Sequence, residues 1–437
     1  MSFLASTAAR LGRAVRDPYV RQSVLAFGVK LGGAALSFVF NLLIARHYGA
    51  AGTGSFGLAL TTSLIASVVA LVGLDYILLR RVAGDIKVGA LAEARGTIRN
   101  VTLIVIALGA AVSLLLWLVG VPLLRLVLDD PASSAGLGLA ALAVIPLALQ
   151  RLASASMRGL GSMIRAQLMD GPFAMALALA GLIALMLAGQ AGDAPRAFAL
   201  YVVTLVTGVA VAGAMVWYKM RGWPAAAPTP AGPLLASGWP VSITVLSMLL
   251  ADWTMMVIVG ASGSAVEVGQ FRVVVQIGSL INLIVVTFDT VAGPRIAAAH
   301  RVGETRQIFS AWRQAIAIMT VMAGPLVALC LIAPGWMLGL FGPQFVAAAP
   351  ALQIVALGQA VNILTGPAGS ILVMTGREQV SLKVSLLALV LLAVLGALLV
   401  PKFGIVGAAM TLALVTSFRK IWSSWEIIRA PMPAHKG

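Results

Sequence analysis

The sequence predicts an all-α integral membrane protein with about twelve transmembrane helices. Only 10% of its 437 residues are charged, 60% are hydrophobic, and the mean hydropathy is +1.02. A soluble domain carries about 25% charged residues, so this chain has too little charge to cover a water-exposed surface. The hydrophobic residues form runs that are long enough to span a bilayer, and the basic residues lie mainly at one end of these runs.

Twelve stretches have the length and composition of spanning helices, for which about 20 mostly apolar residues suffice. Their predicted bounds are 22–45, 55–78, 101–123, 136–157, 166–189, 197–218, 238–260, 268–291, 314–334, 346–372, 380–401 and 403–425. No charge separates the ninth stretch from the tenth, so their division depends on the proline and glycine residues between them.

The basic residues indicate how the helices are oriented. Of the 30 Lys and Arg residues, 24 are assigned to predicted inner segments and 4 to outer segments, which leaves Lys30 and Arg272 within spans. Because Lys and Arg favour cytoplasmic loops, we expect both termini to be cytoplasmic. The same bias accounts for the net charge of +16 without nucleic acid as a partner.

The two halves of the chain are similar at a constant offset of 215 residues. The matching pairs are Gly54 and Gly269, Phe56 and Phe271, Arg80 and Arg295, and Gly161 and Gly376. Each half holds six spans, an even number, so the repeats run parallel, as in two-lobed transporters. The predicted organisation is an N-terminal segment (1–21), a six-helix lobe (22–218), a cytoplasmic linker (219–237), a second six-helix lobe (238–427) and a cytoplasmic tail (428–437).

Several short motifs carry a family resemblance. They are 42–49, 52–57, 73–75 and 80–83 in the first half, and Asp252, 268–271, 294–296, 340–342, 375–376 and 403–409 in the second. Together they resemble polysaccharide biosynthesis transporters, the Wzx-type flippases of lipid-linked oligosaccharides. The same superfamily, which is named for its multidrug, oligosaccharidyl-lipid and polysaccharide exporters (MOP), contains the MATE transporters and the lipid II flippase.

The resemblance implies a MATE-like fold and a function. The chain would be a flippase of the bacterial cytoplasmic (inner) membrane that moves a polyprenyl-pyrophosphate-linked oligosaccharide for O-antigen, capsule or exopolysaccharide synthesis. Its implied partners are this substrate, membrane lipids and polysaccharide polymerase or ligase machinery. A monomer suffices, because one chain supplies both lobes. A MATE-type cation-coupled multidrug antiporter is the alternative.

We expect neither an enzyme nor a cofactor-binding protein. No predicted loop is long enough for a catalytic domain, and the one cysteine and three histidines lack the spacing of metal ligands. The segment Gly52–Gly57 reads as a GxGxxG motif, but it follows a membrane span and not the strand that a dinucleotide site requires. No catalytic residue, metal site or cofactor is therefore predicted.

Ionisable side chains within spans are the first candidates for substrate binding, because burying charge in hydrocarbon is costly. Lys30 shares a helical face with Asn41, eleven residues on. Arg272 shares one with Gln276, at i+4. These four residues are the predicted substrate-binding set, although Lys30 could equally extend to the cytoplasmic headgroups.

Further candidates carry charge near the ends of spans. Asp252 is predicted to couple transport to a cation or to pair with Arg272 across an outer turn. Two aspartates and two arginines occupy similar places in the repeats, which indicates a structural or gating role or a place in the cytoplasmic basic face: Asp75, Arg80, Asp289 and Arg295. Arg151 and Arg158, with Arg165 at the same spacing, either form a cytoplasmic basic face for an anionic head group or only mark the inner side. Four amides could bind sugar hydroxyls or join helices: Gln150, Gln353, Gln359 and Asn362.

Overall fold

A computed structural model describes residues 18–128, 136–225, 231–301, 304–375 and 377–429. This part of the chain is helical throughout its regular structure, which confirms the all-α prediction. The predicted N-terminal segment lies almost entirely outside the described residues, and so does the cytoplasmic tail from residue 430 onward.

The helices are numbered in chain order. Those of the first half are α1 (Pro18–Leu71), α2 (Leu74–Lys87), α3 (Leu91–Leu115), α4 (Val121–Val127), α5 (Leu137–Gly159), α6 (Met163–Met169), α7 (Pro172–Leu187) and α8 (Ala194–Lys219). Those of the second half are α9 (Ala231–Ser262), α10 (Ala265–Arg301), α11 (Thr305–Ile332), α12 (Pro334–Gly339), α13 (Ala349–Thr365), α14 (Ala368–Met374) and α15 (Glu378–Arg429). A π-helical turn (Leu116–Gly120) joins α3 to α4, and a 3-10 turn (Pro343–Ala348) precedes α13.

Nine helical stretches of the described residues are apolar and long enough to cross a membrane. Two of them, Gly28–Leu71 and Gln379–Arg429, leave helical geometry at Gly49 and Gly404, and each is long enough for two crossings. Counting each of these as two crossings, and adding α9, gives the predicted number of twelve. Both glycines have a positive φ (70° and 55°), which a residue with a Cβ rarely adopts.

The predicted tenth span (346–372) lies within one of these stretches, Pro343–Leu372, but it is not one continuous helix. It is broken at Gly366 and Pro367 into α13 and α14. Pro367 has no backbone N–H and clashes with the preceding turn. The carbonyls freed by the break accept hydrogen bonds, Thr365 from Trp312 Nε1 at 2.9 Å and Gly366 from Lys420 Nζ at 3.1 Å.

The described residues form two compact units. The first comprises 18–44, 59–126, 136–225 and 231–249, and the second comprises 45–58, 127–128 and the described residues from 250 onward. Segment 45–58 thus belongs to the second unit although it lies in the first half of the sequence. The boundary also differs from the predicted linker at 219–237, so the predicted division into lobes stays a prediction.

Segment 45–58 and α10 each donate a hydrogen bond to the same stretch of backbone in the second unit. Arg46 Nε donates to the Leu340 carbonyl at 2.7 Å. The neighbouring Gln270 Nε2, on α10, donates to the Gln344 carbonyl at 2.6 Å. Both bonds fix the backbone between α12 and α13, which contains the buried rings of Phe341 and Phe345.

Segment 45–58 packs against α10 through positions that the repeat relates to each other. A Cβ built on Gly269 would lie 1.8 Å from the Ala50 carbonyl oxygen. One built on Gly54 would lie 2.7 Å from the Ala265 carbonyl oxygen. Residue 265 is 50 plus the repeat offset, and 269 is 54 plus the same offset. Contacts that are reciprocal in this way are characteristic of a two-fold axis, here a local one between the two segments.

Candidate functional site

The second unit contains a partly buried group of charges, which we call the charged cluster: Asp252 on α9, Arg272 on α10 and Arg419 on α15. The Asp252 carboxylate interacts electrostatically with both guanidinium groups. Among the described residues, neither arginine forms an ion pair with it within 4.0 Å. The predicted Asp252–Arg272 pair is therefore an interaction at longer range, shared with a second arginine.

Arg272 lies in the eighth position of α10, about 10 Å from the start of the helix at a rise of 1.5 Å per residue. Its aliphatic stem packs against Gly57, where an added Cβ would lie 3.0 Å from Cγ and Cδ. Gly57 is the repeat equivalent of Arg272. The glycine leaves room for one long cationic side chain at a position where two would collide.

Two polar atoms beside this stem are buried without a hydrogen-bond partner among the described residues. They are the Nε donor of Arg272 and the Oε1 acceptor of Gln276, one turn along α10. Buried polar groups normally find a partner in the protein, in water or in a ligand. The predicted substrate-binding pair of Arg272 and Gln276 thus lies together on one helical face with unused hydrogen-bonding capacity.

A cavity of about 80 Å³ lies beside Asp252. Its walls come from α9, α10, α13 and α15 and consist of Asp252, Val275, Gly278, Ser279, Val355, Gly358, Gln359, Leu412, Ala413 and Thr416. The volume suits a few water molecules or a small ion. It is well below the roughly 300–1,000 Å³ of sites for drug-sized ligands, so this cavity does not enclose such a molecule.

The amides of α13 join helices at the edge of this cavity. Asn362 Nδ2 donates to Gln359 Oε1 at 3.0 Å and to Asn282 Oδ1, on α10, at 3.3 Å. Gln353 Nε2 donates to the Leu331 carbonyl of α11 at 2.9 Å. These contacts agree with the interpretation of the amides as links between helices.

The first unit pairs several predicted cations with carboxylates. Arg151 Nη2 lies 3.7 Å from Asp75 Oδ2. Arg158 forms an ion pair with Asp170 and also donates to Ser154 Oγ at 2.9 Å. Two of the three arginines of the predicted basic face are therefore charge-balanced within the unit, whereas Arg165 is exposed.

Asp170 and Arg419 are the residues that sequence reasoning missed. Asp170 lies inside the predicted fifth span, where an ionisable side chain calls for a partner. Arg419 was counted among the inner orientation markers, although it lies inside the predicted twelfth span and well within α15. In both cases the available signal was a charge within an apolar helix.

The remaining predicted site residues are not brought together in the same way. Lys30 is exposed on α1, which fits either of its interpretations. Asn41 is buried, and its amide donates to the Ser37 carbonyl of the same helix at 2.7 Å. Arg80 is exposed, and the side chains of Asp289 and Arg295 lie outside the described residues.

Comparison with known proteins finds one matching family model and a short match to one relative. The MatE family model matches residues 240–398, which is less than half of the chain. A stretch of 72 residues is 38% identical to an uncharacterized membrane protein of Methanocaldococcus jannaschii. That match covers 16% of this chain and only 14% of the relative's length.

Solved transporter structures match over nearly the whole chain. A multidrug resistance MATE family transporter of the MOP superfamily in its inward-facing conformation has a TM-score of 0.76 at 13% identity, with 93% of this chain and 98% of that chain covered. An outward-facing structure of a MATE family transporter scores 0.65 at 16% identity, with coverages of 95% and 97%. A MOP superfamily transporter from Pyrococcus furiosus, described as having a binding pocket of reverse polarity, scores 0.63 at 14% identity, with coverages of 94% and 96%.

These matches confirm the predicted MATE-like fold of the MOP superfamily, and with it a multi-pass membrane protein. The matched family and structures are transporters rather than enzymes, in agreement with the sequence-based expectation. The Wzx-type subfamily, the inner membrane and the cytoplasmic termini stay predictions.

Proposed function

We propose that the protein is a membrane transporter of the MATE/MOP type that translocates a polyprenyl-pyrophosphate-linked oligosaccharide by alternating access. The observation that carries this proposal is the charged cluster, in which one carboxylate interacts with two partly buried arginines. A cluster with an excess positive charge favours an anionic ligand. The pyrophosphate of such a lipid is the anion that the family resemblance suggests.

Charge also provides a driving force for this transport. Moving a negative charge outward across an inside-negative membrane is favourable by about 2.3 kcal/mol per charge per 100 mV. The lipid tail can remain in the bilayer while the head group crosses. In this proposal the protein acts in the bacterial inner membrane with cytoplasmic termini, and it supplies polysaccharide polymerase or ligase machinery.

A MATE-type cation-coupled multidrug antiporter is the second candidate. It is favoured by the MatE match and by similarity to multidrug transporter structures, one of which was solved in complex with rhodamine 6G. Asp252, beside a cavity that suits water or a small ion, would be the coupling carboxylate. The nearby arginines oppose binding of an organic cation at the same place.

Ligand binding separates the two candidates. We expect the purified protein in nanodiscs of zwitterionic lipid to bind farnesyl pyrophosphate in titration calorimetry, and to bind neither farnesol nor the cationic dye rhodamine 6G comparably. Arg272→Ala should weaken binding of farnesyl pyrophosphate about tenfold or more, because it removes a charge-assisted hydrogen-bond donor. Arg313→Ala, which removes an exposed arginine, is the matched control. Dye binding without pyrophosphate binding would favour the antiporter.

Deletion of the gene tests the transported lipid in the cell. A flippase deletion should accumulate lipid-linked glycans on the cytoplasmic leaflet and stop polysaccharide export. Plasmid-borne Lys30→Ala and Arg272→Ala should insert normally but fail to restore export, since each lacks one of the two cations predicted within spans. Full export in both variants, or loss of dye resistance with normal glycans, would contradict the proposal.

A further inference from the structure

Arg419 lies on the same face of α15 as the wall of the cavity. Leu412, Ala413 and Thr416 line that wall, and Arg419 follows Thr416 by three residues, which is the next position on the same helical face. It is fifteen residues beyond the break at Gly404, or about 22 Å along the helix. The side chain is partly buried in the second unit. Arg419 thus lies well inside α15, on the helical face that lines the cavity beside Asp252.

The charges around Arg419 are unbalanced. Asp252 interacts with Arg419 as well as with Arg272, without a close ion pair to either in the described part of the chain. A guanidinium group does not lose its proton in proteins, so the excess positive charge persists at every physiological pH. Arg272 Nε and Gln276 Oε1, one turn apart on α10, have no hydrogen-bond partner among the described residues and add capacity to bind a polar ligand.

The neighbouring Lys420 has a different role. Its ammonium group donates to the Gly366 carbonyl at the break between α13 and α14. A cation at this place satisfies a carbonyl that the broken helix leaves without a partner. Lys420 therefore bonds to the helix break, whereas Arg419 interacts electrostatically with Asp252.

We propose that Arg419 is a second anion-binding residue beside Arg272, and that Asp252 is their shared counterion, which the incoming anion replaces. The inference rests on the proposed function and names the part of the substrate that this site holds, the pyrophosphate. Two planar guanidinium groups match two phosphoryl groups, because each can donate two parallel hydrogen bonds.

Asp252 has two effects in this mechanism. In the empty site it partly compensates the charge of two partly buried arginines. In the loaded site it competes with the anion for the same donors, and so it limits affinity and allows release. Removing the carboxylate should therefore strengthen anion binding, whereas removing either arginine should weaken it.

The test is calorimetric titration of the purified full-length protein with farnesyl pyrophosphate. We expect Arg419→Gln and Arg272→Gln each to weaken binding about tenfold or more, and Asp252→Asn to tighten it by a similar factor. The double variant Asp252→Asn/Arg419→Gln keeps the net charge of the cluster, so it should bind more tightly than Arg419→Gln alone. Arg313→Gln is the matched control and should bind like the wild type.

Thermal unfolding of each variant shows whether weaker binding comes from a changed site or from an unfolded protein. If Asp252→Asn does not fold, the affinities of the double variant and of Arg419→Lys are compared with that of Arg419→Gln instead. Arg419→Lys keeps the charge but loses the paired donors, so its affinity should lie between those of the wild type and Arg419→Gln.

The outcomes separate this inference from the proposed function. Wild-type binding of farnesyl pyrophosphate with unchanged binding by folded Arg419→Gln overturns the role of Arg419 and leaves the flippase proposal standing. Weaker binding by Asp252→Asn, or by the double variant relative to Arg419→Gln, overturns the role of Asp252 as a competing counterion. A wild-type protein that binds rhodamine 6G and no pyrophosphate overturns both proposals.

Discussion

At the scale of single residues, the closest contact of segment 45–58 depends on Gly269. The Ala50 carbonyl oxygen occupies the place where a side chain at 269 would begin, 1.8 Å from the position of a Cβ. Small residues at helix crossings in membranes allow backbones to approach in this way. The Gly54–Gly269 match in the sequence therefore reflects a packing requirement of both repeats.

Gly269→Ala should lower the thermal unfolding midpoint of the purified protein, with a loss of about 3 kcal/mol, because a methyl group cannot be placed without moving a backbone. Gly84→Ala is the control. Gly84 is exposed in α2 with open space around its Cα, so alanine should raise stability by about 0.5–1 kcal/mol. Equal midpoints for Gly269→Ala and the wild type would contradict the close approach.

Sequence reasoning at this scale predicted that Asp252 and Arg272 lie close together, but it did not predict the other charged partners. Arg272, Gln276 and Asp252 were identified because polar groups within apolar spans are costly. Arg419 was not, since proximity to Lys420 and to the chain end made it resemble an orientation marker. Asp75 and Arg151 were assigned to different roles, although the structure places them 3.7 Å apart. Asp75 and Arg151 are 76 positions apart in the sequence and lie on different helices. Helical periodicity therefore cannot predict that they are neighbours.

At the scale of elements, the break between α1 and α2 stores backbone strain beside an ion pair. Val72 has φ 47°, a left-handed conformation that a β-branched residue rarely adopts, and Gly73 follows with φ 69°. Asp75 lies in the first turn of α2, where the helix dipole favours a carboxylate. The pair with Arg151, beside a cavity of about 10 Å³, holds the new helix in place.

Val72→Gly should relieve this strain, which is of the order of 1–3 kcal/mol for a left-handed residue with a side chain. Val69→Gly removes the same side chain three residues earlier, at an exposed position within regular helix. We expect Val72→Gly to be more stable than Val69→Gly by about 1 kcal/mol or more in thermal unfolding, although Val72 is the more buried of the two. The reverse order would show that residue 72 is not strained.

At the scale of elements, the sequence predicted where the spans lie but not the helix break inside the tenth span. Hydropathy located the twelve apolar stretches because membrane thickness sets the length of each. It joined α13 and α14 into one span, since Gly366 and Pro367 do not interrupt the apolar run. The freed carbonyls are satisfied by Trp312 and Lys420, which are distant in sequence and make the break tolerable in a membrane.

At the scale of the whole molecule, the distribution of Lys and Arg predicts how the protein is oriented in the membrane. The loop after α2 is predicted to be cytoplasmic and the loop between α7 and α8 external. Val88 and Gln190 are exposed in these two loops. The natural cysteine, Cys330, is buried, so it provides a low background for labelling.

Cysteine labelling checks this orientation. In intact spheroplasts, Gln190→Cys should react with a membrane-impermeant maleimide, because its loop faces the outside. Val88→Cys should react only after the membrane is permeabilised. Labelling of Val88→Cys alone in intact spheroplasts would mean that the protein has the opposite orientation.

By itself, the sequence predicted the membrane class, the twelve spans and the internal repeat, because hydropathy and spacing are properties of the chain read in order. Its short motifs added the resemblance to Wzx-type flippases, which implied a MATE-like fold. Only the tertiary structure showed that Asp252 interacts with Arg419 as well as with Arg272, and that Asp75 lies beside Arg151. It also decided that segment 45–58 packs with the second unit. These contacts depend on how helices distant in sequence pack together, and the energy of a buried charge depends on the groups that such packing places beside it.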